Sequence, residues 1–280
     1  MVMKTRGFTL VEMIMVIVIM GILSAGTFVS LKHLYQRVAK SKALSELSFD
    51  SQIIVDQIAA LLYDRVPSRV WGYEVNAVNP AQIYEITGSD FKILEWYGTA
   101  TEAMKAKYYS GFVDMDASDR DTNTTVSYDI NKTALIGMMT KKFVSAGKYA
   151  LIFAGSFDFG DANNTSNYVV KTINDHNITL ENRPKEIYEK YYLVDSAYAI
   201  ARGDDINCSD TNQSNTLYLF YDYRPWQNKT ICDGNHTILT KEAKAFEIGI
   251  INDSLYFNLT LSRKIGIDTN VTISKQKVVF

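Results

Sequence analysis

Residues 8–31, FTLVEMIMVIVIMGILSAGTFVSL, are an apolar run of 24 residues interrupted by one charge, Glu12. As a helix the run is about 36 Å long at ~1.5 Å per residue, enough to cross a hydrocarbon core of about 30 Å. Lys4 and Arg6 precede it with no acidic residue, which keeps the first residues on the cytoplasmic side and sends the rest outward. A cleaved secretory signal would have a shorter apolar stretch, about 7–15 residues, closed by a small-residue cleavage site. Here the run is longer and a helical pattern continues beyond it. The segment therefore reads as a retained anchor.

Glu12 is the anomaly. A carboxylate at that depth costs about 2.5 kcal/mol or more, and no Lys, Arg or His lies within the span to neutralise it. It is either a glutamate snorkelling to headgroups or a charge with a partner outside its own chain.

The flanking residues bear on that choice. Lys4-Thr5-Arg6-Gly7-Phe8-Thr9-Leu10-Val11-Glu12 resembles the type IV prepilin signal: a basic leader, Gly, Phe, a small polar residue, two aliphatics, Glu, then the apolar helix. The resemblance covers the leader and roughly the first thirty helical residues. It implies cleavage between Gly7 and Phe8 by a membrane aspartyl prepilin peptidase, N-methylation of Phe8, and Glu12 as the fifth mature residue. It further implies sister pilin or pseudopilin subunits and an assembly platform protein as partners. A neighbouring subunit's Glu12 would neutralise the Phe8 ammonium, and because an unpaired charge is costly there, the pair would also set axial stagger. Many pilins carry a proline midway along this helix; this chain has none, only Gly21 and Gly26.

Beyond Leu31 the pattern becomes amphipathic: Leu44, Leu47, Ile54, Ile58 and Leu61 recur at helical spacing, with Lys40 and Lys42 just before them and Glu46, Asp50 and Asp56 between them. The helix is expected to run from Phe8 to about Tyr63, with Pro67 and Gly72 stopping it. Further on the signals are for strands: Tyr191–Arg202, Asn215–Tyr223, Phe246–Ile251 and Ser254–Ser262 around an Asn252-Asp253 hairpin turn, and Val271–Phe280. The 18 tyrosines read as half-buried sheet faces, and residues 99–130 carry no clear pattern. The expected fold class is α+β, a long N-terminal helix packed on an antiparallel, pilin-like β-sheet head. The expected segments are a leader at 1–7, a membrane and assembly half of the helix at 8–31, an amphipathic half at 32–65 and a periplasmic head at 66–280. The ending, AFEIGIINDSLYFNLTLSRK…ISKQKVVF, loosely resembles the terminal hairpin of the larger J-type minor pseudopilins of type II secretion.

A second signal is a register of asparagines. Of 18 asparagines, 12 have Ser or Thr two residues later, and 8 of those also have Asp two residues earlier: Asn123, Asn131, Asn163, Asn177, Asn207, Asn212, Asn235 and Asn270. Turn formers cluster in loops, but that does not account for a fixed five-residue register repeated eight times. Asp-x-Asn-x-Ser/Thr resembles the acceptor sequon of the bacterial periplasmic oligosaccharyltransferase, which implies N-glycosylation of an exported head. The sequons Asn164, Asn228, Asn252 and Asn258 lack the Asp. Export also makes a Cys208–Cys232 disulfide the expectation, closing a loop of about 25 residues.

The remaining composition is restrictive in a negative sense. A net charge of -2 gives no electrostatic reason to expect a nucleic-acid partner. His33, His176 and His236 are scattered, no catalytic or cofactor motif is present, and no enzymatic activity is expected. Asp114, Asp116, Asp119 and Asp121 fail as an EF-hand loop, since Asp119 replaces the glycine and Thr125 the closing glutamate, so no metal is expected. They read as a solvated loop leading into Asn123. The expected role is a minor subunit of a periplasmic or surface filament anchored in the inner membrane, its head contacting sister subunits or secreted cargo. The alternative is an uncleaved single-pass protein with a binding ectodomain.

Overall fold

The computed structural model describes residues 9–75, 80–82, 91–141, 149–155, 168–252, 254–266 and 269–279. Gly7, Phe8 and Asn163 lie outside the described residues, as does Asp253 of the expected hairpin turn.

Helix α1 (Leu10–Tyr63) runs 54 residues, about 81 Å at ~1.5 Å per residue. Every residue from Leu10 to Lys42 is exposed, and burial starts at Ala43. From there Ala43, Leu47, Ser51, Ile54, Val55, Ile58 and Leu62 make one buried stripe at the three- and four-residue spacing of a single helix face. Leu44 and Leu61 sit half-buried at its margins.

The helix ends where expected, but not for the expected reason. Asp64 caps it, and the chain turns at once into β1 (Arg65–Glu74), so Pro67 and Gly72 are strand residues. Pro67 falls where the β1 ladder slips, between the pairs Arg65↔Gly98 and Val70↔Trp96. A residue without an N–H is tolerated at such an irregularity.

Among the described residues eleven strands form one antiparallel sheet. β1 lies between β2 (Ala81–Gln82) and β3 (Phe91–Thr99), and β3 pairs with the long β9 (Tyr191–Arg202). The other edge of β9 is shared. Its first half pairs with β6 (Ala150–Phe153), which leads to β7 (Tyr168–Asn174), β8 (Asn177–Leu180), β5 (Thr124–Val126) and β4 (Asp114–Asp119). Its second half pairs with β10 (Leu217–Tyr223) and through it with β11 (Asn235–Thr240). Two short helices, α2 (Thr101–Lys105) and α3 (Lys132–Lys141), pack over the β6–β8 region.

The last three strands, β12 (Ala243–Ile251), β13 (Ser254–Ile265) and β14 (Thr269–Val279), make a separate meander. The pair Ile251↔Ser254 confirms a two-residue connection, and Asn252 takes φ 49°, the left-handed geometry such a turn requires. β13 alternates buried and half-buried residues over most of its length, and its inward side chains Phe257, Leu259 and Leu261 meet the α1 stripe. The same cluster takes in Leu94, Trp96 and Ile200 of the large sheet, so one core holds helix, meander and sheet together. Polar clasps rim this contact. The Arg263 guanidinium donates to both carboxylate oxygens of Glu242 and to Glu46 of α1, and Lys275 donates to the Ser48 carbonyl and to Gln52, both at 2.9 Å.

Two expectations are corrected. The tyrosines are not mainly half-buried: Tyr97, Tyr109, Tyr149, Tyr191, Tyr218 and Tyr223 are fully enclosed, because separate apolar clusters cover the two faces of β9, Tyr191 and Leu193 entering one and Val194 and Ala197 the other. The 114–121 segment is largely strand rather than loop. There the Asp114 carboxylate accepts the N–H groups of Asp116 and Ala117, Asp119 accepts that of Asp121, and Asp121 pairs with Arg183.

Candidate assembly site

The exposed half of α1 begins at Thr9, the N-cap, in extended conformation. Its hydroxyl accepts the Glu12 N–H at 3.3 Å, while its own N–H and hydroxyl both donate to Glu12 Oε2 at 3.0 Å. This is a reciprocal capping box, which satisfies helix-terminal donors and fixes the carboxylate against the first turn. Thr9 is the residue touching Glu12 whose cap sequence reasoning left unassigned. The Ser/Thr-x-x-Glu spacing of Thr9 and Glu12 was the signal that could have found it.

Around this carboxylate the surface is apolar and bare. Leu10, Val11, Met13, Ile14, Met15 and Ile17 are each between 54% and 79% exposed, an arrangement water does not favour. The helix is long and apolar enough to cross a membrane, with a mean hydropathy of 2.4 in its best window and none of that window buried. Among the described residues from Thr9 to Leu31, Glu12 is the sole charged side chain.

The head contributes different features. Cys208 and Cys232 form a disulfide with Cα atoms 5.3 Å apart, tying the loop after β9 to the segment before β11. The described Asp-bearing sequon asparagines lie at turns, strand starts or loops. Asn123 sits in the β4–β5 turn with φ 56°, Asn131 caps α3 by accepting the Ala134 N–H, and Asn177 opens β8. Asn207 and Asn212 lie in the loop between β9 and β10, Asn235 starts β11, and Asn270 is near the start of β14. All but the half-buried Asn123 are exposed. By contrast Asn258, a sequon without Asp, is mid-strand in β13, hydrogen-bonded to Glu247 and Ser274.

Deeper in the head, Glu95 is 5% exposed, and the hydroxyls of Tyr73 and Tyr223 both donate to it. Burial pushes its carboxyl above the usual range, against the pull of those two hydrogen bonds. Burial and the Glu95 charge likewise push both phenols up. With the carboxylate buried and held by two hydroxyls, this group reads as a structural contact. An open groove between the end of α1, β3 and β11 is lined by Ile58, Leu61, Tyr198, Leu219 and Ile238, with Asp64 and Glu102 at its margin. It gathers no histidine, cysteine or lysine. Among the described residues no group of three or more His, Cys, Asp or Glu side chains is placed to hold a metal.

Residues 2–28 match the family model for the prokaryotic N-terminal methylation motif. No curated protein and no solved structure gave a significant match. Ahead of its α+β head, the chain carries an N-terminal methylation signal of the type IV prepilin and pseudopilin kind.

Proposed function

We propose that this chain is a structural subunit of a pilin-type filament, processed at Gly7–Phe8 and assembled through the bare half of α1 with Glu12 as its registering charge. The carrying observation is the methylation motif running directly into an apolar helix that is exposed from Leu10 to Lys42 around one carboxylate. In the isolated chain Thr9 occupies Glu12 Oε2. Oε1 has no protein partner among the described residues and is open to a neighbour's N-terminal ammonium. Such an ion pair in a low-dielectric bundle favours the one stagger that satisfies it and penalises the others.

Within that reading the chain is a minor subunit, at or near the tip of a short filament of the type II secretion kind. A head of about 215 residues has the surface to meet sister subunits or cargo. The head faces the periplasm, the helix is anchored in the inner membrane, and the peptidase and assembly platform act on the N-terminal segment. An extracellular type IV pilus subunit shares every one of these features except the filament served. The basic residues Lys4 and Arg6 ahead of the apolar run favour this orientation.

Mass spectrometry of the membrane-extracted protein tests the reading. The expected N-terminus is N-methyl-Phe8, and a Met1 start on the mature protein refutes processing. Glu12→Ala should leave cleavage intact and abolish cross-linking to sister subunits in the membrane fraction. Retained assembly of that variant would refute the registering role.

A further inference from the structure

The eight Asp-x-Asn-x-Ser/Thr segments are equivalent as sequence, yet the fold treats those it describes differently. The enzyme class this register resembles must reach three side chains at once: the acceptor amide, the acid two residues before it and the hydroxyl two residues after. For Asn212 all three are exposed, Asp210, Asn212 and Ser214 lying in an irregular loop outside any strand. Asn131, with Asp129 and Thr133, and Asn235, with Asp233 and Thr237, are likewise exposed at all three positions. Asn177 falls between, because Thr179 is half-buried in β8.

Two sites are shut. Five residues before Asn212, Asn207 has an exposed amide, but its acid, Asp205, is 6% exposed. That carboxylate is clamped by Arg202, with Nε donating to Oδ2 at 2.8 Å and Nη2 to Oδ1 at 3.2 Å. At Asn123 the hydroxyl is the obstacle, since Thr125 is fully buried in β5.

We propose that the folded head is an N-glycan acceptor at Asn212, Asn131 and Asn235, and that folding closes Asn207 and Asn123, the Arg202–Asp205 pair acting as the latch at Asn207. The proposal rests on the exported placement of the head given above. In the transfer, the Asn212 amide nitrogen attacks the anomeric carbon of a lipid-pyrophosphate-linked oligosaccharide. A C–N bond forms, and the C–O bond to pyrophosphate breaks. The lipid pyrophosphate leaves with the electron pair, and one amide proton passes to solvent or an enzyme base. A closed site reacts only from its locally opened population, so transfer at Asn207 should be at least about tenfold slower than at Asn212.

The test compares two forms of the full chain in detergent: the folded, disulfide-bonded protein, and protein reduced, alkylated and diluted from urea. Each is incubated with a membrane oligosaccharyltransferase of the acid-requiring class and its lipid-pyrophosphate oligosaccharide donor. Asn207 and Asn212 share one tryptic peptide, so fragmentation that retains the glycan must localise it. The expected result is modification of Asn212, Asn131 and Asn235 in the folded form, with Asn207 and Asn123 joining them only in the unfolded form. Arg202→Ala should raise transfer at Asn207 in otherwise folded protein, with Asn212 as the internal standard. Equal rates at Asn207 and Asn212 in the folded form overturn the latch. Absence of transfer at every asparagine in both forms overturns the glycan reading altogether and leaves the asparagines as turn chemistry, while an N-methyl-Phe8 start would still stand for the filament reading.

Discussion

Replacing Ile58 by Ala tests how α1 is held to the head. Ile58 is 0% exposed and packs within the cluster that joins the helix stripe to the meander and to Trp96. The substitution removes three carbon atoms, about 2.4 kcal/mol at ~0.8 kcal/mol per buried carbon, before any void is counted. A void between a helix and two sheets closes only in part, which brings the expected loss to about 3–4 kcal/mol. Phe49, on the same helix but 67% exposed, is the control, and Phe49→Ala should cost less than about 0.5 kcal/mol. Urea unfolding of the detergent-solubilised chain, followed by tryptophan emission, reads the difference. Trp96 is fully buried in the cluster that contains Ile58, whereas Trp71 and Trp226 belong to another. With a urea dependence of about 2–3 kcal/mol per molar, the Ile58→Ala midpoint should fall by about 1–2 M. Equal midpoints for the two variants would refute the packing assigned to the helix.

Reduction, or a Cys208→Ser/Cys232→Ser double change, frees a loop with a sequence separation of 24. On the chain-entropy account this costs about 3 kcal/mol, measured as a lower urea midpoint, and no shift would count against that account. Glu95→Gln addresses pH. Burial raises the folded carboxyl above its ordinary value of 4.5, so the native chain holds more protons than the unfolded one. The contribution of Glu95 to stability is then fully present below about pH 4.5 and is lost as pH rises through the folded value. Glu95→Gln should remove that decline, and an unchanged pH profile by thermal melts would show that Glu95 is not its source. Thr9→Val removes the hydroxyl that cradles Glu12 and should lower cross-linking to sister subunits less than Glu12→Ala does, with processing unaffected. Cross-linking equal to wild type would mean that the capping box plays no part in presenting the carboxylate.

Much of this molecule was legible along the chain because its strongest signals are local. An apolar run of fixed length, a basic flank and one carboxylate specify a membrane-compatible helix without reference to any contact. The strand Tyr191–Arg202 and the hairpin about Asn252 followed from periodicity and turn chemistry, which depend only on near neighbours, whereas the end of α1 at Tyr63 fell where expected without the expected breakers making it. The capping box of Thr9 and Glu12 was equally local and readable from its spacing. Tertiary structure decided what depends on residues far apart. Pro67 became a strand residue because β1 pairs with β3 on either side of it, and the tyrosines became enclosed because distant segments build apolar clusters over both faces of β9. Among the described sequons, the exposure of the flanking Asp or Thr depended on whether it met Arg202, as at Asp205, or a strand interior, as at Thr125. Burial and ion pairing are properties of chain segments brought together, and a five-residue motif carries no record of them.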